Sequence, residues 1–418
     1  MIDRVADGSP KVSPVMHLLA LTPTDSLTEG YLPAAARLGL DVMLLTDAPD
    51  AHRRAYERCG GNAGNAWPRI DIVPCEVRDF REVIARIAAH NRRPEAVFTN
   101  SDHLQVQAAL AADWFGLPGK DWRAALRTKN KAHMRRALAE SGLEALWSAE
   151  LSSPGEAESI RPPFPCVVKP REGVAGEDVG LVEDGGRLLR HCREVWARRP
   201  GLPLVVEEYL PGPVHTLETL GDGHALHILG SFHEVGVAPP HFVLLRGDLL
   251  PETPRPHTEQ VVERLRALGV GFGSCHTEFV IQGDRARVIE VNYRSIGDHA
   301  DLGLADALSI PLFEHILRTH LGRPLPACLG ARTARRALRI EAVLAERGGR
   351  LKAAPGPVEY ERDEVRLVYR PMREVGEERL LHHSDRDQLG IVRATGPDQD
   401  RIGRVVAAFR AEHHWELV

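Results

Sequence analysis

The chain has 418 residues, 43% hydrophobic and 27% charged, which is ordinary for a globular protein and long enough for about three domains. Its net charge of −5 is small and its 53 lysines and arginines are scattered, so no basic stripe indicates a nucleic-acid partner. No apolar run is long enough to span a bilayer, and the first residues do not resemble a signal peptide, so we expect a cytoplasmic protein without a membrane partner.

Strands and helices alternate through the first part of the chain. Apolar runs predict buried strands at residues 17–22, 41–46 and 96–99. Helical patterns lie at residues 32–38, 80–90 and 104–112. This alternation predicts a doubly wound parallel α/β domain. The glycines of residues 59–64 lie too far from the first strand to form a dinucleotide-binding fingerprint, so we interpret them as an ordinary loop and consider a dehydrogenase weakly supported.

Two lysines appear after the character of the sequence changes near residue 121. A predicted helix over residues 129–142 carries Lys131 and ends at a glycine. Lys169 ends an otherwise apolar strand, where a charged side chain is uncommon without a partner for its charge. We therefore expect Lys169 to have an anionic partner.

A loop with three glycines follows Lys169 at residues 171–180, and it includes Gly173 and Gly176. Glycines let backbone N–H groups approach phosphate oxygens closely, while a nearby lysine supplies the compensating charge. The same loop also fits a simple hairpin connection. The next apolar strand begins at residue 204 and runs into the segment 207–210, whose backbone could face an adenine ring or could be purely structural.

A short hairpin carries the most informative group of side chains. Residues 277–282 and 285–290 read as two strands joined by a Gly-Asp turn, so Glu278 and Glu290 are expected to lie close together. Alternation along the second strand places Glu290, Asn292 and Arg294 on one face. Carboxylate and amide oxygens suit Mg²⁺, which leaves its other positions to water and substrate phosphates. The hairpin therefore predicts a magnesium–nucleotide site, with two solvated carboxylates as the alternative.

Taken in order, the two lysines, the glycine loop, the 207–210 segment and the carboxylate hairpin resemble the layout of the ATP-grasp superfamily. The resemblance covers nearly the whole chain. It implies an N-terminal doubly wound α/β domain followed by an ATP-grasp fold, whose two α+β subdomains clamp ATP, and a small C-terminal subdomain. The implied divisions are residues 1–120, 121–205, 206–325 and 326–418.

The resemblance also implies a role for each motif residue. Lys131 and Lys169 would contact the nucleotide phosphates, with the loop that holds Gly173 and Gly176 closing over them. The adenine and ribose would be read by Glu207 and by the backbone of Glu208, Tyr209 and Leu210. One or two Mg²⁺ (or Mn²⁺) ions would be held by Glu278, Glu290 and Asn292. Arg294 would meet the transferred phosphoryl group, with Lys169 as its catalytic partner.

Within the superfamily, the C-terminal part is most similar to carboxylate–amine ligases of the amino-acid ligase type. Residues 349–359 and 385–396, followed by a predicted helix at 399–412, carry this similarity. A biotin-dependent carboxylase is less well supported, because the residues after Arg294 differ from that family's motif. The expected activity is amide-bond formation through an acyl phosphate, with ATP and Mg²⁺ as cofactors and a small carboxylate and a small amine as substrates.

Two departures from the family pattern bear on the substrate. Leu244 stands where such ligases often carry an acidic residue for the substrate ammonium, whereas Arg246, His233 and His241 could pair with additional carboxylates. Val214 replaces a common glutamate, and Glu218 on the same strand is expected to take over a polar contact. These changes leave open a ligase for polycarboxylates, as in siderophore-like pathways, and a binding protein that senses ATP without turnover. A homodimer is also possible from the resemblance, and Asp298 is expected to cap the helix that begins near Asp301.

Overall fold

The computed structural model describes residues 13–59, 67–237, 239, 241–331 and 334–418. It divides into two compact units, one of residues up to 119 with 320–322 and the other of residues 120–319 with 323–418. The fourfold division of the chain stays a prediction. Most of the loop expected at residues 59–64 lies outside the described residues. Among those that are described, no helix is long and apolar enough to cross a membrane.

The first unit is a parallel sheet with helical connections. Its elements are β1 (Val15–Leu19), a π-helical turn (Ser26–Tyr31), α1 (Leu32–Arg37), β2 (Asp41–Thr46), α2 (Pro49–Cys59), β3 (Ile70–Pro74), α3 (Phe80–Ala88), β4 (Pro94–Phe98) and α4 (Gln105–Trp114). The strands lie in the order β3-β2-β1-β4 and all pairs are parallel. Every residue of the central strand β1 is buried, as expected for a sheet covered on both faces. The predicted doubly wound domain is confirmed.

The second unit begins with a small antiparallel sheet. Its elements are α5 (Trp122–Lys129), α6 (Lys131–Glu140), β5 (Ser148–Leu151), α7 (Pro154–Ser159), β6 (Cys166–Pro170), β7 (Gly180–Val182), α8 (Gly185–Arg198) and β8 (Leu204–Glu208). The strand order is β5-β8-β6-β7. Apolar side chains of α8, among them Leu188 and Val195, pack with the buried face of these strands to form a separate core. The glycine loop connects β6 to β7, so this sheet positions it.

A larger, mainly antiparallel sheet follows. The next elements are β9 (Val214–Asp222), β10 (Leu226–Gly230), β11 (Phe232–Val235), β12 (Arg246–Leu249), α9 (His257–Ala267), β13 (Phe272–Gln282), β14 (Arg285–Asn292), α10 (Ala300–Leu308) and α11 (Leu312–His320). The last elements are β15 (Ala337–Leu344), β16 (Gly349–Ala353), β17 (Val358–Arg362), β18 (Val365–Pro371), β19 (Glu378–Arg379), β20 (Gln388–Gly396), α12 (Gln399–Glu412) and β21 (Glu416–Leu417). The order of the large sheet is β14-β13-β9-β11-β12-β15-β20-β18-β17, with β10 beside β9, so four C-terminal strands extend the sheet that begins at the predicted metal hairpin. Strands β16, β19 and β21 form a separate three-stranded sheet in the order β19-β16-β21.

The C-terminal helix α12 agrees with its predicted bounds, and its start has a local cause. Asp398 caps it by accepting a hydrogen bond from the backbone N–H of Arg401. Its buried face, which includes Val405 and Phe409, packs against Leu367 and Val392 in the core of the large sheet. This packing holds β20, and with it the short turn at residues 385–387, against the rest of the second unit.

Candidate active site

The two hairpin carboxylates lie directly opposite each other. Glu278 on β13 pairs with Glu290 on β14, and Asn292 pairs with His276 two positions along. The predicted proximity is therefore confirmed. It depends on a β-bulge that the sequence did not reveal, because the register shifts by one residue at Ile289, between the pairs Glu278–Glu290 and Phe279–Val288.

Without that bulge the two carboxylates would face away from each other. The register set by the turn, with Gln282 opposite Arg285, would place Glu290 opposite Thr277 if it continued unchanged. Neighbouring residues of a strand point to opposite faces, so Glu278 and Glu290 would then lie on different sides of the sheet. The bulge returns Glu290 to the face of Glu278.

Lys131 begins helix α6 instead of lying inside one long helix. The predicted helix is confirmed over Lys131–Glu140, but its predicted start at residue 129 is wrong, because Asn130 adopts an extended conformation and its side chain accepts a hydrogen bond from the His133 N–H at 3.0 Å. This cap starts a new helix. The Lys131 ammonium group is buried, 2.9 Å from Glu290 Oε1 and 3.1 Å from the Gly173 carbonyl oxygen.

Lys169 is buried beside Glu207. Its Nζ lies 2.8 Å from Glu207 Oε2, and the same carboxylate accepts two hydrogen bonds from Arg135. Burial, with the charges of Arg135 and Lys131, lowers the pKa of Lys169. Although burial opposes its charged form, Glu207 has a pKa lowered to about 2, because Arg135 and Lys169 hold its carboxylate ionised. The Glu207 side chain is thus engaged in holding Lys169.

The glycine loop lies over this region with left-handed backbone at its tip. Ala175 has φ +57° and Gly176 has φ +66°, and a Cβ at position 176 would lie 3.4 Å from the Phe242 carbonyl oxygen. The Asp385 N–H donates to the Ala175 carbonyl at 3.1 Å. The turn at residues 385–387 therefore contacts the tip of the glycine loop. Local sequence could not indicate this contact, because the two segments are far apart in the chain.

The segment at the end of β8 uses two of its backbone N–H groups within the protein. The Glu208 N–H donates to the Trp147 carbonyl oxygen at 3.1 Å, and the Tyr209 N–H donates to Pro165 at 3.2 Å. The Tyr209 ring meets Phe242 edge-to-face, with centroids 6.3 Å apart. Glu208, Tyr209 and Leu210 are all partly exposed.

A buried histidine is the main site residue that the sequence analysis missed. His276 Nδ1 lies 2.7 Å from Glu218 Oε1, and its Nε2 lies 3.7 Å from Glu278 Oε1. Burial disfavours the charged ring, but Glu218 and Glu278 raise the pKa of His276 to about 10. Burial likewise opposes ionisation of Glu278, and His276 lowers its pKa. Alternation along β13 was the available signal, because His276 stands two residues before Glu278.

Two further carboxyl groups lie in the electrostatic range of Glu278. Burial and then the Glu278 charge raise the pKa of Glu234 to about 8. Burial, with the charges of Asp298 and Glu278, raises the pKa of Asp385 to about 7, although its side chain accepts a hydrogen bond from the Leu244 N–H at 2.9 Å. Glu234 therefore places an acidic residue near the site, although Leu244 stands where such ligases often carry one.

The remaining predicted residues lie in well-defined contacts. The Arg294 guanidinium donates to the Ser295 carbonyl at 2.8 Å, just beyond β14. Arg246 Nε lies 2.9 Å from Asp248 Oδ2, and Arg339 binds the other Asp248 oxygen at 2.8 Å. The predicted Asp298 cap is wrong: the residue before α10 is His299, at φ +65°, and no side chain caps the helix.

The donor set on the hairpin fits a magnesium ion. Glu278, Glu290 and Asn292 provide two carboxylates and an amide, hard oxygen ligands that leave room for water and phosphate oxygens. Both carboxylates lie beside buried cations, His276 next to Glu278 and Lys131 next to Glu290. Across the described residues no group of three His, Cys, Asp or Glu could hold a metal, so a metal here would rely on the amide and on its other ligands.

Comparisons with known proteins support the same architecture. Residues 128–298 match a model of the ATP-grasp domain. A curated relative, an uncharacterized protein of Sinorhizobium fredii, is 26% identical over 329 residues, which are 72% of this chain and 64% of that protein. The chain spans less than two thirds of the length of the first curated relatives that it matches.

Solved structures share the fold over nearly the whole chain. An L-amino acid ligase from Bacillus licheniformis has a TM-score of 0.77 at 19% identity, covering 98% of this chain and 100% of that one. A biotin carboxylase domain from Hydrogenobacter thermophilus, solved with MgADP and bicarbonate, has a TM-score of 0.70 at 15% identity, covering 96% and 90%.

The candidate site joins a small sheet, which carries the glycine loop and Lys169, to a large sheet, which carries the paired carboxylates, and Lys131 of α6 contacts both. Residues 128–298 thus match the ATP-grasp domain, and the chain shares its fold with an L-amino acid ligase of known structure.

Proposed function

We propose that the protein is an ATP-dependent carboxylate–amine ligase that forms an amide bond and releases ADP and phosphate. The observation that carries this proposal is the pairing of Glu278 with Glu290 beside the buried ammonium groups of Lys131 and Lys169. A magnesium nucleotide presents both a cation for the carboxylates and phosphate oxygens for the lysines.

The residues have complementary roles in this proposal. Lys131 and Lys169 neutralise phosphate oxygens beneath the glycine loop, where Gly173 and Gly176 allow close approach of the backbone. Backbone groups of residues 208–210 contact the adenine, while the Glu207 carboxylate holds Lys169 in place. Glu218 holds His276, and His276 in turn lies beside the metal-binding Glu278. Magnesium held by Glu278, Glu290 and Asn292 would supply charge neutralisation at the phosphates.

The chemistry needs alignment and electrostatic stabilisation rather than a side-chain nucleophile. A carboxylate oxygen of the first substrate attacks the γ-phosphorus of ATP, and the bond to ADP breaks to give an acyl phosphate. The amine then attacks the acyl carbon, loses a proton, and phosphate leaves. Arg294, immediately after the metal strand, is placed in this proposal against the oxygens of the transferred phosphoryl group.

The charges near the site favour a substrate that bears an ammonium group. Arg246, the candidate for binding additional carboxylates, is paired with Asp248, which reduces its availability for a polycarboxylate. Glu234 and Asp385 instead have pKa values raised to about 8 and 7, because they are buried near Glu278, and a bound ammonium group would favour their ionised forms. An amino acid as the acyl substrate would match this balance better than a tricarboxylate.

Phosphate release from MgATP tests the proposal directly. Amino acids and di- or tricarboxylates are supplied in a matrix, each with and without amine partners, and Glu290→Gln serves as the inactive control. Release that requires one acid and one amine and vanishes in the variant would establish the ligase. Tight ATP retention without turnover under any pair would instead identify an ATP-sensing protein.

A further inference from the structure

The guanidinium of Arg135 on α6 has a partner for each of its five N–H groups. Its Nε and one terminal nitrogen donate to the two oxygens of Glu207, at 3.0 and 2.9 Å. The remaining three bonds go to Glu144 Oε1 at 3.1 Å and to the carbonyl oxygens of Val288 and Ile289 at 2.7 and 3.2 Å. Arg135 is buried, so a lost partner would leave a donor unsatisfied.

Both ends of this bonding pattern lead to candidate active-site residues. Glu207, at one end, binds Lys169 at 2.8 Å. Val288 and Ile289, at the other end, form the bulge that turns Glu290 to the face of Glu278. A bulge leaves backbone groups outside the regular ladder, and here Arg135 takes up the two carbonyls while Glu144 accepts the Val288 N–H at 3.2 Å.

We propose that Arg135 is a positioning residue that fixes the phosphate-binding Lys169 and the metal-binding Glu290 relative to each other. It acts on Lys169 through Glu207 and on Glu290 through the bulge. Because Lys169 and Glu207 belong to the small sheet and Glu290 to the large one, a single side chain sets the separation of the two halves of the nucleotide site. This inference rests on the proposed function, since it gives those residues their roles.

Lysine cannot replace Arg135 in this geometry. Its ammonium group has three donors and no planar fork, so it cannot bind both Glu207 oxygens and both bulge carbonyls at once. Arg135→Lys keeps the charge, and is expected to keep the fold, while releasing part of the bulge or the Glu207 contact.

Arg264 on α9 offers a matched control in the same buried network. Its Nε donates to the other oxygen of Glu144 at 3.0 Å, and its terminal nitrogens bind the carbonyls of Gln260 and Leu143. Arg264 makes no direct contact with Glu207 or with the bulge carbonyls, and it is connected to the bulge only through Glu144 Oε2, which also accepts the Val288 N–H. Arg264→Lys should therefore disturb the same network while leaving the Arg135 contacts to Glu207 and to the two bulge carbonyls in place.

The experiment compares the full-length protein with Arg135→Lys and Arg264→Lys by titration calorimetry with MgADP, and with ADP in excess EDTA. Changes in residues that orient metal ligands commonly weaken metal binding about 10- to 100-fold. Arg135→Lys is expected to weaken MgADP binding by that factor. The affinity that Mg²⁺ adds to ADP binding should be mostly lost in this variant. Amide hydrogen exchange in residues 286–292 should rise more in Arg135→Lys, which loses direct contacts to the Val288 and Ile289 carbonyls, than in Arg264→Lys.

Each result decides the matter. Equal MgADP affinity and equal exchange in the two variants would overturn the positioning role, whatever their melting temperatures. Failure of the unaltered protein to bind ADP would instead overturn the proposed function, and this inference with it. Arg135→Lys could fail to fold while Arg264→Lys folds. In that case the same exchange measurement is made on Arg135→Gln in a stabilising osmolyte. Unchanged exchange in the bulge of that variant would again refute the proposal.

Discussion

Single side chains at this site are held by charge, and their separate roles can be distinguished by substitution. Glu207, Lys169 and Arg135 form one buried group, whereas Arg294 lies outside it and contacts only its own strand end among the hydrogen bonds described. Removing a member of the buried group should therefore affect folding as well as binding. A change at Arg294 should act on the reaction alone.

Arg294→Gln is expected to lower the rate of phosphate release about 100- to 1000-fold, because one well-placed donor for a developing charge contributes that much to catalysis. MgADP affinity should change little. Steady-state phosphate release and calorimetry measure the two effects, and Arg285→Gln, at an exposed position of the same hairpin, is the control. Equal activity of the two variants would exclude the role given to Arg294.

Glu207 should make the free energy of unfolding depend on pH in the acidic range. Its folded-state pKa of about 2 lies below the usual value of 4.5, so its contribution is complete above the usual pKa and is lost as the pH falls toward 2. Glu207→Gln should cost about 3–5 kcal/mol at neutral pH, because it leaves Arg135 and Lys169 without their counter-charge. Denaturant unfolding at several pH values measures this.

The difference between the two proteins should shrink between pH 4.5 and 2, because the unaltered side chain is being protonated over that interval. Glu208→Gln, one residue along the same strand, controls for the loss of an acidic group. A constant difference between pH 7 and pH 2 would contradict the assignment of Glu207 as a buried ionised group.

Whole strands and helices were easier to predict than the irregularities between them. Periodicity located β2 and α12 at their observed bounds, since each has an uninterrupted pattern and, for α12, a capping aspartate. It located neither the break at Asn130, where a side-chain cap interrupts an otherwise continuous helical pattern, nor the bulge at Ile289, whose backbone groups bind the distant residues Arg135 and Glu144. The fold class and most motif positions were therefore accessible from sequence, whereas Arg135, Glu234 and Asp385 required the tertiary structure.

The glycine loop gives a prediction at this scale. Gly176→Ala should raise the KM for ATP about fivefold or more, because an L-residue at φ +66° costs about 1 kcal/mol or more, while the added Cβ would make only an ordinary contact, 3.4 Å from the Phe242 carbonyl oxygen. Gly155→Ala, in an open position of α7, should leave KM unchanged. Limited proteolysis should show faster cleavage of residues 171–180 in the first variant only.

At the scale of the whole molecule, ligand binding should be visible as stability. A ligand that binds only the folded state at about 100 times its Kd adds about 2.7 kcal/mol. MgADP should therefore raise the melting temperature, and the increase should be smaller with ADP and EDTA or in Glu290→Gln. Differential scanning calorimetry measures this, and a shift that is equal in all three conditions would mean that the hairpin does not hold the metal.

The contact between Lys131 and Glu290 links the affinities of metal and nucleotide. Before either binds, the ammonium group already neutralises the carboxylate, so free magnesium must compete with a cation that belongs to the chain. Nucleotide phosphates attract Lys131 and arrive with magnesium of their own. Metal and nucleotide should consequently bind with positive thermodynamic coupling, each strengthening the other by the same factor, and free magnesium alone should occupy the protein only weakly.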